Sequence, residues 1–120
     1  MITIVPASPE ERAAICEREG LPTASCLILR DGGEPAGCLC YRVEGTRLEL
    51  LVVRGEDGLF QEGLVRAALN AGELDGASEA FCRNADMEDL LNRLGFRREG
   101  DALSVSIRSF FSGPCGSHHN

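Results

Sequence analysis

The sequence predicts an α+β domain with the element order β-α-β-β-β-α-β-α-β. Three observations lead there. Short apolar and β-branched runs alternate with Gly-containing turns, which is the pattern of strands and hairpins. From Leu59 the apolar spacing changes to steps of three and four, the period of a helix. Two further segments carry paired helix start and stop signals.

Ile2 to Val5 is a β-branched run and reads as the first strand. Ser8-Pro9-Glu10-Glu11 follows. Ser8 suits an N-cap, Pro9 suits the first helical position, and Glu11 completes a capping box. The helix runs to about Glu19 and stops at Gly20 and Pro22. Cys26 to Leu29 is a strand, Asp31-Gly32-Gly33 is a hairpin turn, and Ala36 to Val43 is the returning strand. Glu44-Gly45-Thr46 turns into Arg47 to Val53, whose nearly unbroken apolar end predicts burial on both faces. A helix from Leu59 ends at Gly72. Ser78 to Cys82 is a short strand, and Asp86 to Leu94 is a helix closed by Gly95. Arg97 onward is extended. Ala102 to Phe111 alternates, with Leu103, Val105 and Ile107 on one face, and reads as the last strand. Residues 1–111 form one domain, and residues 112–120 form a flexible tail without apolar periodicity.

The 120 residues fit a single domain. Hydrophobic residues make up 43% and charged residues 26%, enough to build a core and solvate a surface. The net charge is -7, and all twelve cations are Arg, spread along the chain. Nucleic-acid binders concentrate positive charge on one face, so nucleic acid is not an expected partner. No apolar run reaches the ~20 residues that span a bilayer, and the N-terminus lacks the basic start of a signal peptide. Membrane association is not expected, and a cytoplasmic location is. Six Cys are present: Cys16, Cys26, Cys38, Cys40, Cys82 and Cys115. In that compartment they are expected as buried, reduced thiols. Cys38 and Cys40 lie two apart and share one face of their strand.

Asn84, followed by a helix and then Leu94-Gly95-Phe96-Arg97, matches a spacing seen in the GCN5-related N-acetyltransferase (GNAT) family. With the order of elements, the resemblance covers residues 2 to 110 or so. It implies a mixed sheet with helices on both faces. It also implies an acyl-CoA N-acyltransferase that takes acetyl-CoA or another acyl-CoA and a small-molecule or peptide amine.

In that family the cofactor pyrophosphate sits at the start of the helix after the fourth strand, in a loop resembling Arg/Gln-x-x-Gly-x-Gly/Ala. Backbone amides at a helix N-terminus suit such a polyanion. The resemblance therefore assigns cofactor binding to Val53, Arg54, Gly55 and Gly58, and to Asn84 after the fifth strand. It assigns the general base to Glu49, flanked by Leu48 and Leu50. Alternation leaves open whether Glu49 faces a site or solvent. The pattern departs from the family at two places. If Gly58 takes the first glycine position, Phe60 takes the second, where its ring crowds a phosphate, and Glu56, Asp57 and Glu62 add negative charge. Two like charges ~5 Å apart repel by roughly 1 to 3 kcal/mol. The tyrosine that often protonates the leaving thiolate, four residues before the Gly of Gly-Phe, is Leu91.

Two other readings stand beside the enzyme. One is a catalytically degenerate GNAT-fold binding or regulatory module. The other is a metal- or thiol-responsive protein acting through its tail, where Cys115, His118 and His119 are a thiol and two imidazoles of the kind that suits zinc or copper. A homodimer that covers an exposed sheet edge is also expected of so short a chain.

Overall fold

The computed structural model describes residues 1–118, with side chains to Ser112. The chain forms β1 (Ile2–Pro6), α1 (Pro9–Glu19), β2 (Ser25–Asp31), β3 (Glu34–Glu44), β4 (Arg47–Arg54), α2 (Gly58–Leu74), β5 (Glu79–Cys82), α3 (Glu88–Arg93), β6 (Arg97–Glu99), β7 (Ala102–Ser106) and α4 (Ile107–His118). A short 3-10 turn, Ala85–Met87, leads into α3. The strands make one sheet in the order β1-β2-β3-β4-β5-β7-β6. β4 and β5 pair in parallel, and the other neighbours are antiparallel.

Strand alternation sends two sets of side chains to opposite faces. Leu27, Leu29, Leu39, Leu48 and Leu50 pack against Leu64, Val65, Ala68 and Leu69 of α2. Burying each of the Leu and Val side chains contributes about 1.5–3 kcal/mol. On the other face Cys26, Ile28, Cys38, Cys40 and Val52 meet Ile15 and Cys16 of α1. α1 begins as its sequence dictates. Ser8 Oγ accepts from the Glu11 amide, and Glu11 Oε1 accepts from the Ser8 amide.

The expected elements are present, with differences at three places. Gly72 does not end α2. It lies buried within the helix, where a Cβ would overlap Leu48 Cδ1, so glycine here lets α2 sit close on β4. The helix continues to Leu74 and turns at Gly76, whose φ is +99°. The extended segment after Gly95 is a strand, β6, paired with β7. The last strand stops at Ser106 rather than running to Phe111. Ser106 Oγ accepts from the Ser109 amide at 3.3 Å, and the spacing Ile107-Phe110 becomes helical, with both side chains buried. Phe110 packs edge-on to Phe96, ring centroids 6.2 Å apart. α4 thus runs into the segment the sequence sets apart as a tail. The side chains of Cys115, His118 and His119 lie outside the described residues.

Candidate functional site

β4 positions the site, and a bulge shapes it. Cys40 pairs with Val52 and Tyr41 with Leu50, so Leu51 has no partner on β3. The extra residue reverses the alternation. Leu48, Leu50 and Val53 face the α2 layer, whereas Leu51 and Val52 face α1. The apolar run Leu50-Leu51-Val52-Val53 therefore feeds both layers. Pairing between β4 and β5 ends at Leu50 and Cys82, and β4 runs on to Arg54 paired with β3 only. The two parallel strands part at this point.

Asn84 bridges the gap. Its Nδ2 donates to the Leu51 carbonyl at 3.0 Å, and its Oδ1 accepts from the Asp86 amide at 2.9 Å. Both ends of the amide are engaged within the chain. The residue ties β4 to the start of the 3-10 turn.

At the end of β4 the chain passes through Arg54-Gly55-Glu56-Asp57 into α2. Asp57 is the N-cap, and its carboxylate accepts from the Leu59 amide at 2.8 Å. The Gln61 amide donates to the Asp57 carbonyl, and the Gln61 side chain donates to the Gly55 carbonyl. Gly55 has φ +152°, and a Cβ there would meet the Ala36 carbonyl oxygen at 3.4 Å. Its glycine is used in packing the loop onto β3. Gly58 faces open space, with nothing within 4 Å of a would-be Cβ.

Arg54 is paired with α1. Its Nε and Nη2 donate to the two oxygens of Glu19 at 3.0 and 2.7 Å, and Arg18 reaches the same carboxylate at 3.1 Å. The Arg54 hydrogen bond holds the Glu19 carboxyl below its ordinary range, against the upward push of burial. These residues rim a groove of about 1120 Å³ between α1, the start of β3 and the start of α2. Its floor includes Gly37 and Cys38, and Phe60 lines one wall. Arg18 Nη2 donates to Cys38 Sγ at 3.3 Å.

Glu49 lies on the sheet face opposite α2, with its side chain only 14% exposed. Its Oε1 accepts from Arg42 at 2.8 Å and its Oε2 from Arg83 at 3.4 Å. Arg42 Nε is buried without a hydrogen-bond partner. Arg47 and Arg83 stack on the Phe81 ring, at 4.0 and 5.0 Å from its centroid. Leu91 is fully buried in the α2 layer and has no proton to give. Among the described residues no three His, Cys, Asp or Glu side chains converge as a metal site, and no helix is long and apolar enough to cross a membrane.

The structure thus gathers Arg54, Gly55 and Gly58 at one end of β4, with Asn84 beside the parted strands. Val53 turns its side chain into the α2 layer. Glu49 stands five residues before Arg54, roughly 17 Å away along an extended strand. Sequence reasoning missed Glu19 as the partner of Arg54, because nothing local signals a contact across thirty-five positions.

This parted parallel pair, flanked by helices on both faces, is the fold of the GNAT acetyltransferases. A GNAT-family protein from Desulfovibrio desulfuricans superposes with a TM-score of 0.71 at 10% identity, over 89% of this chain and 99% of that one. The ribosomal-protein-S18-alanine N-acetyltransferase of Escherichia coli gives 0.69 at 14% identity, over 89% and 94%. A GNAT-family acetyltransferase from Brucella melitensis, solved with acetyl-CoA, gives 0.66 at 13% identity, over 88% of each chain. No protein-family model and no curated protein matches the sequence.

Proposed function

We propose that this chain is a GNAT-fold binding or regulatory module that does not transfer acetyl groups. The observation that carries this reading is the Asp57 carboxylate on the Leu59 amide at 2.8 Å. A helix N-terminus attracts an anion through its amides and its dipole. Here the chain supplies that anion itself. The cation nearest to a phosphate subsite, Arg54, is committed to Glu19. Glu56 adds a further carboxylate to the loop. These residues do not fit a pyrophosphate. Leu91 in the core and Glu49 between two guanidinium groups agree with the absence of acid-base chemistry.

The test is calorimetric titration of the reduced protein with acetyl-CoA, with desulfo-CoA as control. The expected result is no saturation up to millimolar concentration. Saturable binding at micromolar concentration overturns the proposal.

A second reading rests on one specific feature, the edge of β4 from Val52 to Arg54 that β5 does not pair. An acyl-CoA arm laid along that edge would deliver an acyl group toward an amine, with Glu49 as base. Micromolar binding together with turnover lost in Glu49→Gln would favour this acyltransferase. In the non-transferring module the α1 groove is the place for a ligand, a small molecule or a peptide.

A further inference from the structure

The α1 face of the sheet holds four of the six cysteines: Cys16 on α1, Cys26 on β2, and Cys38 and Cys40 on β3. Cys26 and Cys40 are direct cross-strand partners in the β2–β3 register. Their sulfur atoms lie 3.3 Å apart. Directly opposed residues on antiparallel strands have Cα atoms ~4.5–5.5 Å apart, within the range a disulfide requires. The two thiols are therefore placed to join without backbone rearrangement.

We propose that Cys26 and Cys40 are a redox modification site, closed by a hydroperoxide into a reversible cross-strand disulfide beneath α1. The reaction balances with that oxidant alone. The Cys26 thiol ionises, its thiolate attacks one oxygen of hydrogen peroxide, the O–O bond breaks, and the departing hydroxide takes up the thiol's proton as water, giving a sulfenic acid on Cys26. The Cys40 sulfur then displaces that hydroxyl. The S–S bond forms, and the Cys40 proton leaves with the hydroxyl as a second water. Cys26 takes the first step because it is 5% exposed, whereas Cys40 is fully buried. Burial pushes both thiols up, so the thiolate fraction is small and closure is slow. The site responds to sustained oxidation and not to a brief pulse.

Cross-linking β2 to β3 closes a short loop in the unfolded chain. Loops of ~15 residues are constrained enough to raise Tm by roughly 10 °C. The oxidised form is therefore the more stable one. Cys38, two residues along β3, lies on the groove floor with Arg18 on its sulfur, so the latch sits next to the groove.

The experiment treats the full chain with hydrogen peroxide for minutes to hours, alkylates the remaining thiols and digests with trypsin. The expected product is a linkage between Glu19–Arg30 and Asp31–Arg42, assigned by fragmentation to Cys26 and Cys40. It is expected to survive Cys38→Ser, to vanish in Cys40→Ser, and to reverse with a dithiol reductant, with the higher Tm returning to that of the reduced protein. A linkage through Cys38 or Cys16, sulfinic acids without linkage, or all thiols still alkylated in the wild-type protein would each overturn the proposal. The wild-type digest decides the question even if a serine variant fails to fold.

Discussion

Arg54 and Glu19 form a two-pronged ion pair that pins the last residue of β4 to the last turn of α1. Their separation in sequence makes the pair a tertiary clamp at the groove mouth. Glu19 titrates below its ordinary value of 4.5, chiefly through the Arg54 hydrogen bond. A depressed folded value means that the pair's stabilisation is present above the unfolded value and is lost as pH falls through the folded one. Glu19→Gln is therefore expected to be less stable than wild type at pH 7. It should also show a shallower loss of stability between about pH 5 and pH 2. Urea midpoints across that range measure both. Glu11, held low by the Ser8 amide and Arg30, contributes acid sensitivity of the same sign in both proteins. Parallel curves for wild type and variant would show that the clamp contributes nothing to the acid limb.

Asp57→Ala separates stability from anion binding. Loss of the N-cap is expected to cost about 1 kcal/mol, read from a thermal melt. Removing the carboxylate also exposes the α2 amides. Inorganic pyrophosphate should bind Asp57→Ala more tightly than wild type, and tighter again when Glu19→Gln also frees Arg54. The gain should shrink with added salt. If the variant loses stability and gains no pyrophosphate affinity, the internal carboxylate is a cap only and does not block an anion site.

Local signals in this sequence are legible, and non-local ones are not. Ser8 to Glu11 announces a capping box, and the structure forms both of its hydrogen bonds. Gly95 announces a helix stop, and its φ of +96° ends α3. Gly72 carries the same local signal but belongs to the last turn of α2, because the space above Leu48 decides its identity. Ala102 to Phe111 alternates like a strand, yet the Ser106 hydroxyl and the packing of Phe110 on Phe96 turn its second half into a helix. At the site, the acidic helix start was legible at Asp57. The commitment of Arg54 to Glu19, and of Glu49 to Arg42 and Arg83, was not. The β4 bulge at Leu51 was hidden for a related reason, since an apolar run looks the same whether it alternates or reverses.

Asn84 acts with both ends of its amide, and two substitutions divide them. Asn84→Asp keeps an acceptor for the Asp86 amide and loses the donor to the Leu51 carbonyl. Asn84→Ala loses both. The Asp86 bond is exposed and contributes about 0.5–1 kcal/mol, whereas in Asn84→Asp a carboxylate oxygen faces the Leu51 carbonyl oxygen, so Asn84→Asp should gain nothing over Asn84→Ala although it keeps the acceptor. Denaturant melts give that comparison. Hydrogen exchange at the end of β4 should rise in both variants, because both release the bridge across the parted strands. Unchanged exchange there would mean that β4 is held by β3 alone.

Gly37 on the groove floor and Gly58 at the start of α2 are predicted to respond oppositely to alanine. A Cβ on Gly37 would stand 2.8 Å from the Arg54 carbonyl oxygen and 3.2 Å from Leu64 Cδ1. The first contact is with backbone, which gives only by forcing β3 and β4 apart. Such overpacking costs about 1–3 kcal/mol. Gly58 meets nothing within 4 Å and stands at the first helical position of α2, with no positive φ. Alanine there narrows the unfolded ensemble without strain, a gain of roughly 0.5–1 kcal/mol. Gly37→Ala should therefore melt below wild type and Gly58→Ala above it. If Gly58→Ala melts lower instead, the start of α2 requires a glycine for a reason other than space. A ligand approaching its backbone would then be the first explanation to test, by repeating the acetyl-CoA titration on that variant.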